Sequence, residues 1–328
     1  MNTEVPTEPE TIPFDPAARN LGVAVGYDGS ENAEAAVRYA ADIAARRGTS
    51  LTVVTAYRTP IPVYANPAAL QAWKEDKAHQ QVAESLLEKA AGLLAEHSGK
   101  VKYVTVDGDS VGALAEISAK AQLIVVGSRG RGGFLGLLRG SVATSLPAHA
   151  TCPTVVVPST PLPSRSAPVL VGADLSSHSQ VAALQAAQVA KDRGSPLFVV
   201  MALPRFDRGG TWYPEPLDEA DRRTERRRQE LQEILEAEIR WLAKQVPGIK
   251  ASGEVRIGEP ARVLRDAAES AQLTVVGSRG RGAVASTLLG STSREVLHEA
   301  DGPVMVVPYL EDERVDIEEE VTAESDGS

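Results

Sequence analysis

The chain has 328 residues, of which 43% are hydrophobic, 24% charged and only 4% aromatic, with a formal net charge of -10. That composition excludes a disordered chain and suits two domains of ordinary size with cores of Ala, Val, Leu and Ile. Few aromatic rings and a negative balance argue against nucleic-acid binding, which needs stacking platforms and a cationic face.

In chain order, residues 1–17 are rich in proline and acid and are expected to form a disordered tail. They also lack the basic start and apolar stretch of a secretory signal. A first domain is expected over 18–158. It reads as a strand at 21–26, an Ala-rich helix at 30–47, a strand at 51–57 and a long helix near 67–97. A strand at 101–106, a helix at 111–120, a strand at 122–127, a helix near 140–150 and a strand at 154–157 complete it. Pro147 should kink the last of these helices. The segment 159–167 lies in a Pro/Ser/Thr-rich stretch and suits an extended connector. A second domain at 168–309 repeats the order, with its long helix near 216–246. Residues 310–328 hold most of the net negative charge and are expected to be disordered. Residues 311–328 alone carry nine acids and one Arg, which leaves the body near neutral and open to an anion.

The chain is one unit written twice. AQLIVVGSRGRG at 121–132 matches AQLTVVGSRGRG at 271–282 at 11 of 12 positions, and the ungapped match runs to Pro158 and Pro308 with 19 identities in 38 pairs. Earlier in each half the offset falls to 146, where VAVGYDGS at 23–30 lies over VLVGADLS at 169–176. A period of this size is a domain and not a solenoid repeat. Alternating strands and helices, with strands apolar on both faces, predict two tandem doubly wound parallel-sheet α/β domains. Ligands in such folds sit beyond the carboxyl ends of the strands, where strand order reverses.

Phosphate chemistry is written at those ends. Gly127, Ser128, Arg129, Gly130, Arg131, Gly132 and Gly133 follow the fourth strand, and Gly140-Ser141 open the next helix. The second half has Gly277, Ser278, Arg279, Gly280, Arg281 and Gly282, then Gly290-Ser291. Glycines let the main chain approach an anion, successive N–H groups can form a nest, and a helix start adds unpaired N–H groups. Gly130 and Gly280 are expected in positive-φ turns. Arg129, Arg131 and Arg139 are candidate partners of phosphate oxygens. No GxxxxGK[ST] is present, and the glycines follow the fourth strand where a dinucleotide fingerprint would follow the first.

The pattern G-x2-G-x9-G-[S/T] at Gly127, Gly130, Gly140 and Ser141, and again at Gly277, Gly280, Gly290 and Ser291, resembles the ATP-binding signature of the universal stress protein family. VGYDGS, PTVVVP and PVMVVP are also similar to this family, and the likeness covers about 21–158 and 168–308. The resemblance implies Rossmann-like, adenine-nucleotide α-hydrolase-like domains packed about a pseudo-twofold axis, and about two ATP or ADP per chain with Mg²⁺. It implies that Gly26 and Gly172 line the nucleotide and that Asp28 and Asp174 lie by the adenosine or a phosphate-bound metal. It places Ala56 and Ala202 at the adenine and Gly108 and Gly258 near the ribose. The glycine loops with Ser141 or Ser291 would take the triphosphate, beside Val142 or Thr292. A cytoplasmic regulator or sensor in stress response follows, with little or no turnover and no membrane insertion.

Half two departs from half one at Leu175 for Gly29 and Leu289 for Arg139, while half one has Gly108-Asp109-Ser110 where half two reads Gly258-Glu259-Pro260. Both halves should bind, since no signature glycine is lost, and equal or unequal occupancy stays open. A slow ATPase or nucleotidyl-transfer enzyme on the same loop is one alternative. A nucleotide-independent interaction module is another, and a homodimer of the whole chain stays open. The five histidines, His79, His97, His149, His178 and His298, form no metal pair in sequence, and Cys152 reads as a core residue.

Overall fold

The computed structural model describes residues 11–58, 68–131, 139–159, 161–205, 217–280 and 289–315. In the first half β1 (Val23–Gly26), α1 (Glu31–Arg47), β2 (Leu51–Tyr57), α2 (Ala68–Leu93) and β3 (Val101–Asp107) follow one another. They lead to α3 (Ser110–Ser118), β4 (Leu123–Gly127), α4 (Ser141–His149) and β5 (Thr154–Val157). The second half gives β6 (Val169–Ala173), α5 (Ser177–Arg193), β7 (Leu197–Leu203), α6 (Leu217–Gln245) and β8 (Ala251–Ile257). It ends with α7 (Pro260–Ala268), β9 (Leu273–Gly277), α8 (Ser291–Glu299) and β10 (Val304–Val307).

Local chemistry sets the helix limits. Ser30 accepts the Ala33 N–H at the start of α1, acids stand in the first turn, and Arg46 and Arg47 stand in the last. Gly48 then takes a left-handed φ of 60° and ends the helix. α5 repeats the device with Ser176 and Gly194. The alanines of both helices, including Ala36, Ala40, Ala186 and Ala190, are fully buried and let the helices lie close on valine-rich strands.

Among the described residues ten strands form one sheet in the order β3-β2-β1-β4-β5-β10-β9-β6-β7-β8. Within each half every pairing is parallel. Val23 of β1 aligns with Leu51 on one side and Leu123 on the other, so strand order reverses between β1 and β4. The halves meet where β5 and β10 pair antiparallel, with Val155 opposite Met305. Those two residues are equivalents in the duplication, so the pseudo-twofold axis passes through their pair. Flanking contacts also cross it: Arg47 pairs with Asp192 at 3.1 Å, and Arg193 donates to the Tyr39 hydroxyl at 2.6 Å.

Three expectations need correction. The chain is held before residue 18: Ile12 donates to Tyr309 O (2.8 Å), Glu311 donates to Ile12 O (2.8 Å), and the buried Arg19 guanidinium lies over Phe14 while donating to Ser118 O. The connector is anchored, because the buried Gln272 amide donates to Arg165 O (2.9 Å) and Ala167 O (2.5 Å). Pro147 sits near the end of a continuous α4 whose Ala150 N–H still reaches Leu146 O. The tails at 1–10 and 316–328 lie outside the described residues. Cys152 is fully buried, and burial pushes its thiol up to about 12, which makes it a core residue.

Placing a carboxylate at the axis should be severe, since Val155 is fully buried between the two halves. Val155→Asp is expected to lower the unfolding free energy by about 3 kcal/mol or more in urea melts. Val82→Asp on the 53%-exposed surface of α2 should stay within about 0.5 kcal/mol.

Candidate functional site

At the reversal between β1 and β4 a cavity of about 460 Å³ opens, and the matching place between β6 and β9 holds one of about 510 Å³. Both lie in the range of small-molecule sites. The first has an apolar inner wall, with Val54, Ala56, Leu114 and Val126, and an outer wall with Arg129, Arg131, Gly140 and Ser141. The second repeats this with Val200, Ala202, Leu264 and Val276, facing Arg279, Gly290 and Ser291.

The start of α4 explains why the outer wall suits an anion. Gly140 precedes the first helical residue and provides no side-chain cap, and Gly290 does the same for α8. The N–H groups of Gly140 and Gly290 are used by Ser128 O (2.9 Å) and Ser278 O (2.8 Å), which pin each helix start to its glycine loop. First-turn N–H groups beyond them have no intrahelical acceptor and carry the positive end of the helix dipole.

Asp28 fixes the loop opposite. One carboxylate oxygen accepts from Ser30 N (3.0 Å) and Ser30 Oγ (2.6 Å), and the other accepts from Arg131 N (2.9 Å). Asp174 holds Ser176 in the same manner. Gly130 and Gly280 do not adopt positive φ, contrary to the expectation for these turns. Their need for glycine is steric: a Cβ on Gly130 would stand 2.5 Å from Asp28 Oδ2, and one on Gly280 would collide with Asp174 Oδ2.

Most predicted site residues converge. Gly26, Asp28, Ala56, Gly127, Arg129, Gly130, Arg131, Gly140, Ser141 and Val142 line the first cavity. Gly172, Asp174, Ala202, Gly277, Arg279, Gly280, Gly290, Ser291 and Thr292 line the second. Ser128 does not, because its buried hydroxyl turns away to Asn32 Oδ1 at 3.0 Å, and Ser278 is also outside the lining. Gly108 and Gly258 also fall outside it. They turn the chain at φ 141° and 155°, and their N–H groups close on Tyr57 O and Leu203 O. Gly132, Gly133, Arg281 and Gly282 lie outside the described residues. Sequence reading missed Tyr27, Val54, Leu114, Val200 and Leu264, whose apolar pattern is that of any core position.

Comparison with known proteins identifies the family. The model of the universal stress protein family matches the chain twice, over residues 22–158 and 166–308. The chain belongs to the universal stress protein family. Two curated universal stress proteins of Mycobacterium tuberculosis are similar along nearly their whole length. One is 36% identical over 300 residues, covering 87% of this chain and 96% of the relative. The other is 33% identical over 318 residues, covering 90% and 98%. A solved universal stress protein from Archaeoglobus fulgidus shares the fold, with a TM-score of 0.61 at 22% identity over 89% of this chain and 97% of that one.

The halves of this tandem universal stress protein are not copies around the first turn of α1 and α5. His178, on the first turn of α5, stands in the frame of Asn32 and stacks on Tyr309 with ring centroids 3.6 Å apart. The Tyr309 hydroxyl meets Ser177 Oγ at 2.9 Å. His178 Nε2 is buried with no hydrogen-bond partner among the described residues. Burial, then the charge of Arg279, lowers the imidazole to about 4, with Asp174 opposing. The folded state therefore holds a neutral ring that the unfolded chain protonates first. Its stabilisation is complete above about pH 6.5, the ordinary imidazole value, and is lost as pH falls towards about 4. His178→Asn, which copies the first half, should show a smaller drop in Tm than wild type between those pH values. An equal drop would remove His178 as the cause.

Proposed function

We propose that this universal stress protein binds two adenine nucleotides, ATP or ADP, and acts in the cytoplasm as a nucleotide-dependent regulator or sensor in stress response. The observation that carries this reading is a constellation built twice at equivalent reversals: an apolar wall, a glycine loop beside an aspartate, and an uncapped helix start. A flat base suits the wall of Val54, Ala56 and Leu114, and phosphates suit the N–H groups of α4 beside Arg129 and Arg131. Family membership supports the same reading.

A regulator with little turnover is favoured over an enzyme by the state of the carboxylates. Both oxygens of Asp28 accept hydrogen bonds from the loop and helix they join. Its role is therefore to position the loop. Among the described residues no group of three His, Cys, Asp or Glu side chains is arranged to hold a metal ion. The described residues do not form a Mg²⁺ cage, and the metal enters this reading only as a companion of the phosphates.

Calorimetric titration of the full chain with ATP should give about two sites. Gly130→Ala pushes a methyl against Asp28 Oδ2 and displaces the loop. It should weaken one site about tenfold, the value of one lost hydrogen bond to a charged group, and leave the other unchanged. Absence of ATP and ADP binding in the wild-type chain would overturn the reading, and sustained ADP release would move it to an ATPase.

A further inference from the structure

Arg139 stands immediately before the uncapped start of α4 and lines the first cavity. Its side chain is 8% exposed. Nη2 reaches across the seam and donates to Ala300 O, the C-cap of α8, at 2.5 Å. Nε and Nη1 are buried and have no hydrogen-bond partner among the described residues. A desolvated guanidinium with two nitrogens unpaired is costly, because its N–H groups have lost water without replacement. Burial, then the charge of Arg129, lowers Arg139 to about 10, with Asp301 opposing in part, so two arginines still repel one another at one cavity. An anion placed there offsets both costs.

Duplication supplies the comparison. The same frame in the second half holds Leu289, 5% exposed, on the wall of the second cavity. That cavity does have Arg294 where the first half has Thr144, but Arg294 is exposed to solvent. Water screens an exposed arginine, whereas a buried one interacts with an anion at low effective dielectric.

We propose that Arg139 is a specificity-determining residue that makes the first cavity select the more highly charged, polyphosphate-bearing ligand, while the second cavity, with Leu289, discriminates less. The identity of that ligand as a nucleotide rests on the reading above; the anion chemistry can be tested without a base.

The test titrates the full chain with ATP, AMP and inorganic tripolyphosphate, beside Arg139→Leu and Arg139→Lys. Leu copies the second half and needs no polar partner, and thermal unfolding without ligand checks that it folds. Should it not fold, the charge-retaining Arg139→Lys, which loses the planar fork, carries the comparison. Wild type is expected to show two ATP affinities about tenfold apart, a gap that narrows with AMP. Arg139→Leu should merge them at the weaker value and lower tripolyphosphate affinity about tenfold, with Arg139→Lys between. Two ATP sites of equal affinity in wild type, or an unchanged ATP-to-AMP ratio in Arg139→Leu, would sink the role of Arg139 and leave the nucleotide reading standing. Tripolyphosphate that still separates wild type from Arg139→Leu when neither nucleotide binds would sink the nucleotide reading alone. No binding of any of the three overturns both.

Discussion

β5 and β10 each close a half on a four-residue strand that is buried on both faces, so each would leave a row of unpaired N–H and C=O groups beside valines. Pairing the two edges antiparallel satisfies both rows and buries both strands. The register follows from the duplication. When equivalent residues face each other at Val155 and Met305, equivalent helices are brought to face each other across the seam. α1 then meets α5, and α4 meets α8, with Arg47–Asp192 and Arg193–Tyr39 as polar ties beside the apolar seam.

The cavities depend on that seam indirectly. Each forms where β1 and β4, or β6 and β9, send their connections to opposite sides, and the helix closing its outer wall is α4 or α8. Those helices pack against each other across the seam. Their starts are pinned to the glycine loops by Ser128 O and Ser278 O, and the first loop is pinned to α1 through Asp28. The first cavity's wall is thus a chain of short hydrogen bonds from the first strand's loop to the last helix's first turn.

Elements were legible because apolar runs of strand length alternate with Ala-rich stretches carrying their own caps. The strands at Leu51–Tyr57 and Thr154–Val157 fall on the residues that pattern marks. Loop glycines were legible as a constellation, since spacing repeated in both halves. Side-chain direction was not. Ser128 looks as suited to an anion as Ser141, and only packing shows its hydroxyl turned to Asn32. The need for glycine at 130 came from a neighbour 102 residues earlier in the chain, Asp28, and not from backbone conformation. Leu289 opposite Arg139 was visible on aligning the halves, and aligning His178 with Asn32 would have marked the position of the ring stack on Tyr309 as well. That Arg139 reaches a carbonyl of the other half, or that Gln272 anchors the connector, depends on long-range placement that no local pattern encodes.

The seam has a consequence for what such a molecule can become. Where two identical subunits meet on a twofold axis, a residue on that axis can face only itself. Any change of size there is made twice, so a methylene gained on one side is gained on the other, and the gap must absorb both. A fused pair escapes this restriction: here Val155 faces Met305, a short branched side chain against a long flexible one, both buried. Covalent linkage also keeps the unlike halves at high effective concentration, so neither has to recognise the other among free copies. Divergence at the axis, and at the cavities behind it, is then constrained by packing alone and not by symmetry.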